Sequence, residues 1–236
     1  MGTLLNLTKE YFGEIKREED IDIIEMYGVE IRAFTDKNGK FHKHGYHILP
    51  PESRLSGDLD RQRRILWDLV YELFKKRRNG CDLNDVDVSD VKDMSYIFQY
   101  IDIDFDVSGW DTSHVWFMTG MFRESKFNGD ISRWNVGVVA DMKEMFWNSE
   151  FNKDISDWNV KNVKNMTRMF CKSKFNGDLS RWKVNGVIDM TEMFTESDFT
   201  GENGSISDWK VNRKCKRSNM FKGTPILNNL PPWYKR

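Results

Sequence analysis

Asp130-Ile131-Ser132-Arg133-Trp134, Asp154-Ile155-Ser156-Asp157-Trp158 and Asp178-Leu179-Ser180-Arg181-Trp182 are one phrase written three times at a 24-residue interval. A second phrase follows each: Met142-x-x-Met145-Phe146, Met166-x-x-Met169-Phe170 and Met190-x-x-Met193-Phe194. A unit this short cannot bury its apolar face alone, so a fixed period of this kind marks stacked repeats rather than one irregular globule. Fainter copies precede these, at Asp106-Val107-Ser108-Gly109-Trp110 with Met118-x-x-Met121-Phe122, and at Asp82-Leu83 with Met94-x-x-Ile97-Phe98. Trp209 follows Trp182 after 27 residues, and the last copy ends at Met220-Phe221. The expected fold is an α+β repeat protein. It has a right-handed solenoid of about six coils over residues 81–221, an α+β cap over residues 1–80, and a C-terminal cap or tail over residues 222–236.

The cap carries its own signals. Arg61 to Arg78 reads as an amphipathic helix, with Ile65, Leu66, Leu69, Val70, Leu73 and Phe74 on one stripe, closing at Asn79-Gly80. Val29 to Phe34 and Phe41 to Ile48 flank Asp36-Lys37-Asn38-Gly39-Lys40, a hairpin turn signal. Leu4 to Lys16 reads as a further short helix. His42-x-His44-x-x-His47 is the one metal-like spacing. No Cys or acid completes a zinc set there, and on a strand His47 points away from the other two, so a polar hairpin face is expected. No metal or cofactor is expected elsewhere either.

A net charge of −1 conceals a strong polarity. Residues 81–209 hold 13 basic and 23 acidic side chains, whereas residues 210–236 hold 8 basic and none acidic. Residues 81–111 carry nine acids against Lys92 alone. Stacking in sequence order turns this into an acidic entry end and a basic exit end, a field that steers partners. No apolar run is long enough to cross a membrane. The start lacks the basic and apolar regions of a secretory signal, and three cysteines without metal-ligand spacing suit a reduced, intracellular and cytoplasmic protein.

Columns of the repeat read as follows. The Trp, Met and Phe columns are an apolar interior. Asp82, Asp106, Asp130, Asp154 and Asp178, joined by Ser205, form a like-charge column that Asx turns or a bound cation would neutralise; turns are expected, since no calcium nonapeptide accompanies it. Arg133, Asp157, Arg181 and Asp208 suggest a surface ladder of ion pairs. Asp141-x-x-Glu144 and Asp189-x-x-Glu192 have capping-box spacing, so Met-x-x-Met-Phe is expected as a short helical turn and Asp-Ile-Ser-x-Trp-x-Val as a strand. Three aromatics break their columns: Trp116 and Phe117, where other coils hold Ala140-Asp141, Lys164-Asn165 and Ile188-Asp189, and Trp147. They are either a partner-binding patch, steered by Asp102 and Asp104, or local packing.

The wording Phe-Asn-x-Asp-Ile-Ser-x-Trp-x-Val followed by Val-x-x-Met-x-x-Met-Phe resembles the BspA-like repeats of bacterial surface proteins, relatives of leucine-rich repeats. The match is close over residues 126–199, where units begin at Phe127-Asn128, Phe151-Asn152 and Phe175-Asn176. The resemblance implies a solenoid that binds macromolecules rather than an enzyme. The expected function is a non-catalytic protein-binding module, an adaptor or inhibitor. A specific form is a phage- or mobile-element-encoded antagonist of a bacterial nucleic-acid-handling defence protein, its partner a protein or nucleoprotein complex. One alternative is direct RNA binding through Arg61, Arg63, Arg64, Lys75, Lys76, Arg77 and Arg78 with Arg213, Lys214, Lys216 and Arg217. Another is a surface adhesin. A hydrolase or metal enzyme in residues 1–80 has the least to support it, because no nucleophile, phosphate loop or metal pair is present.

Overall fold

The computed structural model describes residues 80–234, the helical residues Arg63, Leu66, Trp67, Val70, Tyr71, Leu73 and Phe74, and the backbone of three strands before them. Those strands are β1 (Ile23–Met26), β2 (Val29–Thr35) and β3 (Phe41–Lys43), an antiparallel sheet in that order. β2 pairs with β3 up to Thr35 and Phe41, the two strands that the sequence places on either side of Asn38-Gly39. β1, paired with β2 through Met26 and Val29, is not foreseen by the sequence reading. The expected helix over 4–16, residues 44–48 with His44 and His47, and Arg61, Arg64 and Lys75 to Arg78 lie outside the described residues.

The helical residues present the expected stripe. Leu66, Val70, Leu73 and Phe74 are buried in the same core as the repeats, and Phe74 packs edge-on to Phe105 at 5.1 Å. Arg63 anchors this segment through a 3.2 Å ion pair with Asp93. Gly80 takes φ +74 where the turn into the repeats requires the left-handed region.

β4 (Cys81–Asp82) and β5 (Phe105–Asp106) pair in parallel. Parallel bridges then run from repeat to repeat at one fixed position: Asp93 to Phe117, Phe117 to Asp141, Asp141 to Asn165, Asn165 to Asp189, and Asp189 to Lys216. Two local expectations change. The Asp-Ile-Ser-x-Trp-x-Val stretches are turns rather than strands after residue 106, and the strand-like pairing sits at the residue before each Met-x-x-Met-Phe.

The Met-x-x-Met-Phe stretch is not helical either. Two residues of each copy adopt left-handed φ, as Glu144 (+57) and Asn148 (+51) or Arg168 (+56) and Lys172 (+61) do, and ten of the described non-glycine residues are held this way. The hydrogen bonds show why. Met142, Glu144, Phe146 and Asn148 donate N–H to carbonyls of the next repeat, at Asn165, Thr167, Met169 and Cys171. Met145, Trp147 and Ser149 donate three residues back within their own repeat. Alternate amides therefore face the neighbouring coil, which a helix cannot arrange. The left-handed cost, roughly 1 kcal/mol per residue, is met by a fully paired backbone.

Ring stacks fill the interior. Phe122, Phe146, Phe170 and Phe194 lie 5.5 Å apart in succession, nearly parallel. Phe127, Phe151 and Phe175 form a second column at 6.3 Å. The indole N–H of each Trp in the 24-residue column donates to a carbonyl one repeat back, Trp134 to Val107 and Trp158 to Ile131 among them. That series extends past the expected last repeat. Trp233 donates to Ile206 O and stacks on Trp209 at 5.9 Å. Asn229-Leu230-Pro231-Pro232-Trp233 is thus a further copy of the opening phrase, 24 residues after Ser205-Ile206-Ser207-Asp208-Trp209. The boundary set at residue 221 moves accordingly.

Candidate interaction surface

The bridge position organises the surface. Its side chains in four repeats cap their own turn: Asp93, Asp141, Asn165 and Asp189 accept the N–H two residues on, from Ser95, Lys143, Thr167 and Thr191, at 2.7–3.0 Å. These are Asx turns, not capping boxes; Glu144, the expected helix partner of Asp141, instead binds the Arg123 guanidinium. Asn165 does a second job, donating from Nδ2 to Asp141 Oδ2 at 3.1 Å. An amide between two carboxylates relieves their repulsion.

Phe117 occupies this position in the second repeat and has no oxygen to offer. It is half-buried, while Trp116 beside it is 44% exposed. Trp116 is held by backbone pairing on both sides, its N–H on Lys92 O and its carbonyl accepting from Ala140. Lys92 Nζ lies 5.2 Å from its ring. Ile188, 59% exposed, stands in the Trp116 column three repeats on, and Val138, 43% exposed, lies two residues before Ala140 of that column.

Trp147 is placed elsewhere, seven residues beyond Ala140 in its own repeat. Arg123 lies over its ring at 4.2 Å and Lys172 at 5.9 Å. Beside it runs an ionic chain across repeats: Arg123 to Glu144, Arg168 to Glu144 at 3.9 Å, and Arg168 to Glu192 at 2.6 Å. Tyr96 leans on this chain across Gly120, whose missing side chain makes room for the ring. Burial, reinforced by the Glu144 carboxylate, pushes the Tyr96 hydroxyl up to about 12. Asp102 and Asp104 are exposed near the entry end, and Asp104 O accepts the Gly80 N–H. No described contact joins Trp116 to Trp147.

The acidic column resolves into turns. Asp82, Asp106, Asp130, Asp154 and Asp178 each accept the N–H two residues on at 2.7–2.9 Å, and Ser205 does so at 3.2 Å. Hydrogen bonds from Ser108 and Ser132, backbone first, hold Asp106 and Asp130 below the usual carboxylate range, as the Ser156 hydroxyl and backbone do for Asp154. In the alternating column, Arg181 reaches Asp157 at 2.5 Å. Among the described residues no group of three His, Cys, Asp or Glu could hold a metal ion. Cys81, Cys171 and Cys215 are buried thiols, and burial raises the pKa of the latter two.

The basic candidates divide. Arg63 is withdrawn from the nucleic-acid reading, because it is buried at 4% exposure and spent on Asp93. Lys216 pairs with Asp189 at 3.8 Å, and Arg217 is half-buried with a guanidinium bond to Cys215 O. Arg213 and Lys214 are exposed. None of the described helices is long and apolar enough to cross a membrane.

A family model described as "Mycoplasma protein of unknown function, DUF285" matches residues 69–174 and 142–233, together more than two thirds of the chain. The chain belongs to this family. Neither the curated proteins nor the solved structures contain a match to it.

Proposed function

We propose that this chain is a non-catalytic binding module: a solenoid of BspA-like coils that holds another protein on the side carrying Trp116 and Phe117. One observation carries the reading. At the bridge position the second repeat forgoes a turn cap, worth about 1 kcal/mol, and presents two aromatics instead. A local rule broken without a local gain points to function. Backbone pairing to the repeats on both sides also holds the Trp116 main chain in place, which limits the entropy lost on binding. The partner suited to the acid-rich entry repeats presents a basic rim around an apolar centre. Arg63 and Lys216, both engaged, weigh against a long nucleic-acid track through the body.

The test is affinity capture with purified chain and with Trp116→Ala, identified by mass spectrometry and followed by calorimetry on the captured protein. The reading predicts one dominant protein whose binding falls by about 2 kcal/mol or more in the variant. Equal binding by a variant with unchanged melting would place the interface elsewhere.

A further inference from the structure

We propose that the exit end carries a second site, which takes single-stranded nucleic acid. Two independent features meet there. The first is an open cleft of about 480 Å³ beside the stacked pair Trp209 and Trp233, with Asn185, Asn212, Ser207 and Lys210 also in its lining. Trp233 is half-buried, and its indole N–H is already spent on Ile206 O. What it adds to the cleft is aromatic surface, which stacks on any base, while the two amides and the hydroxyl offer hydrogen bonds to a base edge or sugar.

The second feature is a change in the charge around the cations. In the body of the stack acids outnumber them, and Arg168, Lys172, Lys174 and Arg181 pair with Glu192, Glu196, Asp198 and Asp157 of adjoining repeats. At the exit, residues 210–236 contain eight basic side chains and no acid. Lys210, Arg213 and Lys214 are exposed there, and none of the three makes an ion pair with a described residue. Unmatched cations beside a stacking platform suit a phosphate backbone whose bases turn inward. An acidic protein segment would satisfy the charges and leave the aromatic cleft without a partner.

The experiment is fluorescence anisotropy with a short labelled oligothymidylate, the full chain, and an abasic strand of equal length. Binding is expected at low salt. Lys210→Gln/Arg213→Gln/Lys214→Gln, all surface changes, should weaken it about tenfold or more and flatten its dependence on salt. The abasic strand should bind several-fold less tightly, and the normal strand should quench tryptophan fluorescence. Absence of binding, unchanged affinity in the triple variant, or equal affinity for the abasic strand would overturn the proposal. These outcomes do not bear on the protein interface at Trp116.

Discussion

The repeats over 130–199 and the stretch over 205–234 are built from the same phrases and solve the same packing problem, but they treat their surfaces differently. In the former, the bridge position holds Asp141, Asn165 and Asp189, each bonded to its own turn, and acids of adjoining repeats are within reach of Arg168 and Arg181. In the latter, Lys216 stands at the bridge position, Pro231 and Pro232 replace the Ser-x of the opening phrase, and no acid follows Asp208. The interior scarcely changes, since Trp233 stacks on Trp209 much as Trp134 does on Trp110. Interior columns therefore conserve the fold, and surface columns are where this chain departs from it. Phe117 is the same lesson at the other end.

The comparison breaks first if the interior is not shared. Phe146→Ala and Phe170→Ala, each leaving a hole within a continuous ring stack, should cost about 3–5 kcal/mol by chemical denaturation. A loss below about 1 kcal/mol would mean the stacks are not the core. Gly120→Ala comes next. Its new methyl would lie 2.2 Å from the Tyr96 ring at φ +58, and a loss of about 2 kcal/mol is expected. Tyr96→Ala in the same chain should recover part of that, which a purely backbone penalty would not allow.

A smaller effect sharpens the account of the left-handed turns. Glu196 sits at φ +57 and contributes an exposed 3.6 Å pair with Lys172. Glu196→Gly removes strain of about 1 kcal/mol and a pair worth a few tenths, so a modest gain in stability is expected. The smallest effect is in pH. Asp106, Asp130 and Asp154 are depressed in the folded chain, so their contribution is present above the unfolded carboxylate pKa near ~3.9 and is lost as pH falls through the folded values. Carboxyl titration by NMR should find all three below the ordinary range, and Asp130→Ala should reduce the loss of stability on acidification.

The 24-residue beat, the aromatic interior and the Asx turns of the acidic column were legible because each needs a particular residue at a particular position. The turns after each bridge were not. Met, Met and Phe at i, i+3 and i+4 imitate a helical face, and the deciding amides bond to the next repeat, which no local pattern reveals. A trace was present in Gly120, Asn148, Asn219 and Gly223, left-handed residues scattered down the two relevant columns. Trp233 was missed because the repeats were counted to their last Met-Phe, although it follows Trp209 by the usual step. Arg63 looked like an outward charge on its helix; its ion pair with Asp93, thirty residues on, is tertiary information. Trp116 and Phe117 were visible as broken columns, but the cap that Phe117 gives up appears only once its neighbours' hydrogen bonds are known.

That exchange of cap for aromatic is the account's central claim, and Phe117→Asn tests it directly. Asn165 is the template: its Oδ1 accepts the Thr167 N–H at 3.0 Å while its Nδ2 serves Asp141. An asparagine at 117 could accept from Thr119 in the same way and donate toward Asp93. The account predicts a melting temperature equal to or a few degrees above that of the natural chain, together with at least a tenfold loss of affinity for the captured protein. A chain that melts several degrees lower and binds its partner as before would show Phe117 to be packing, and would contradict the claim.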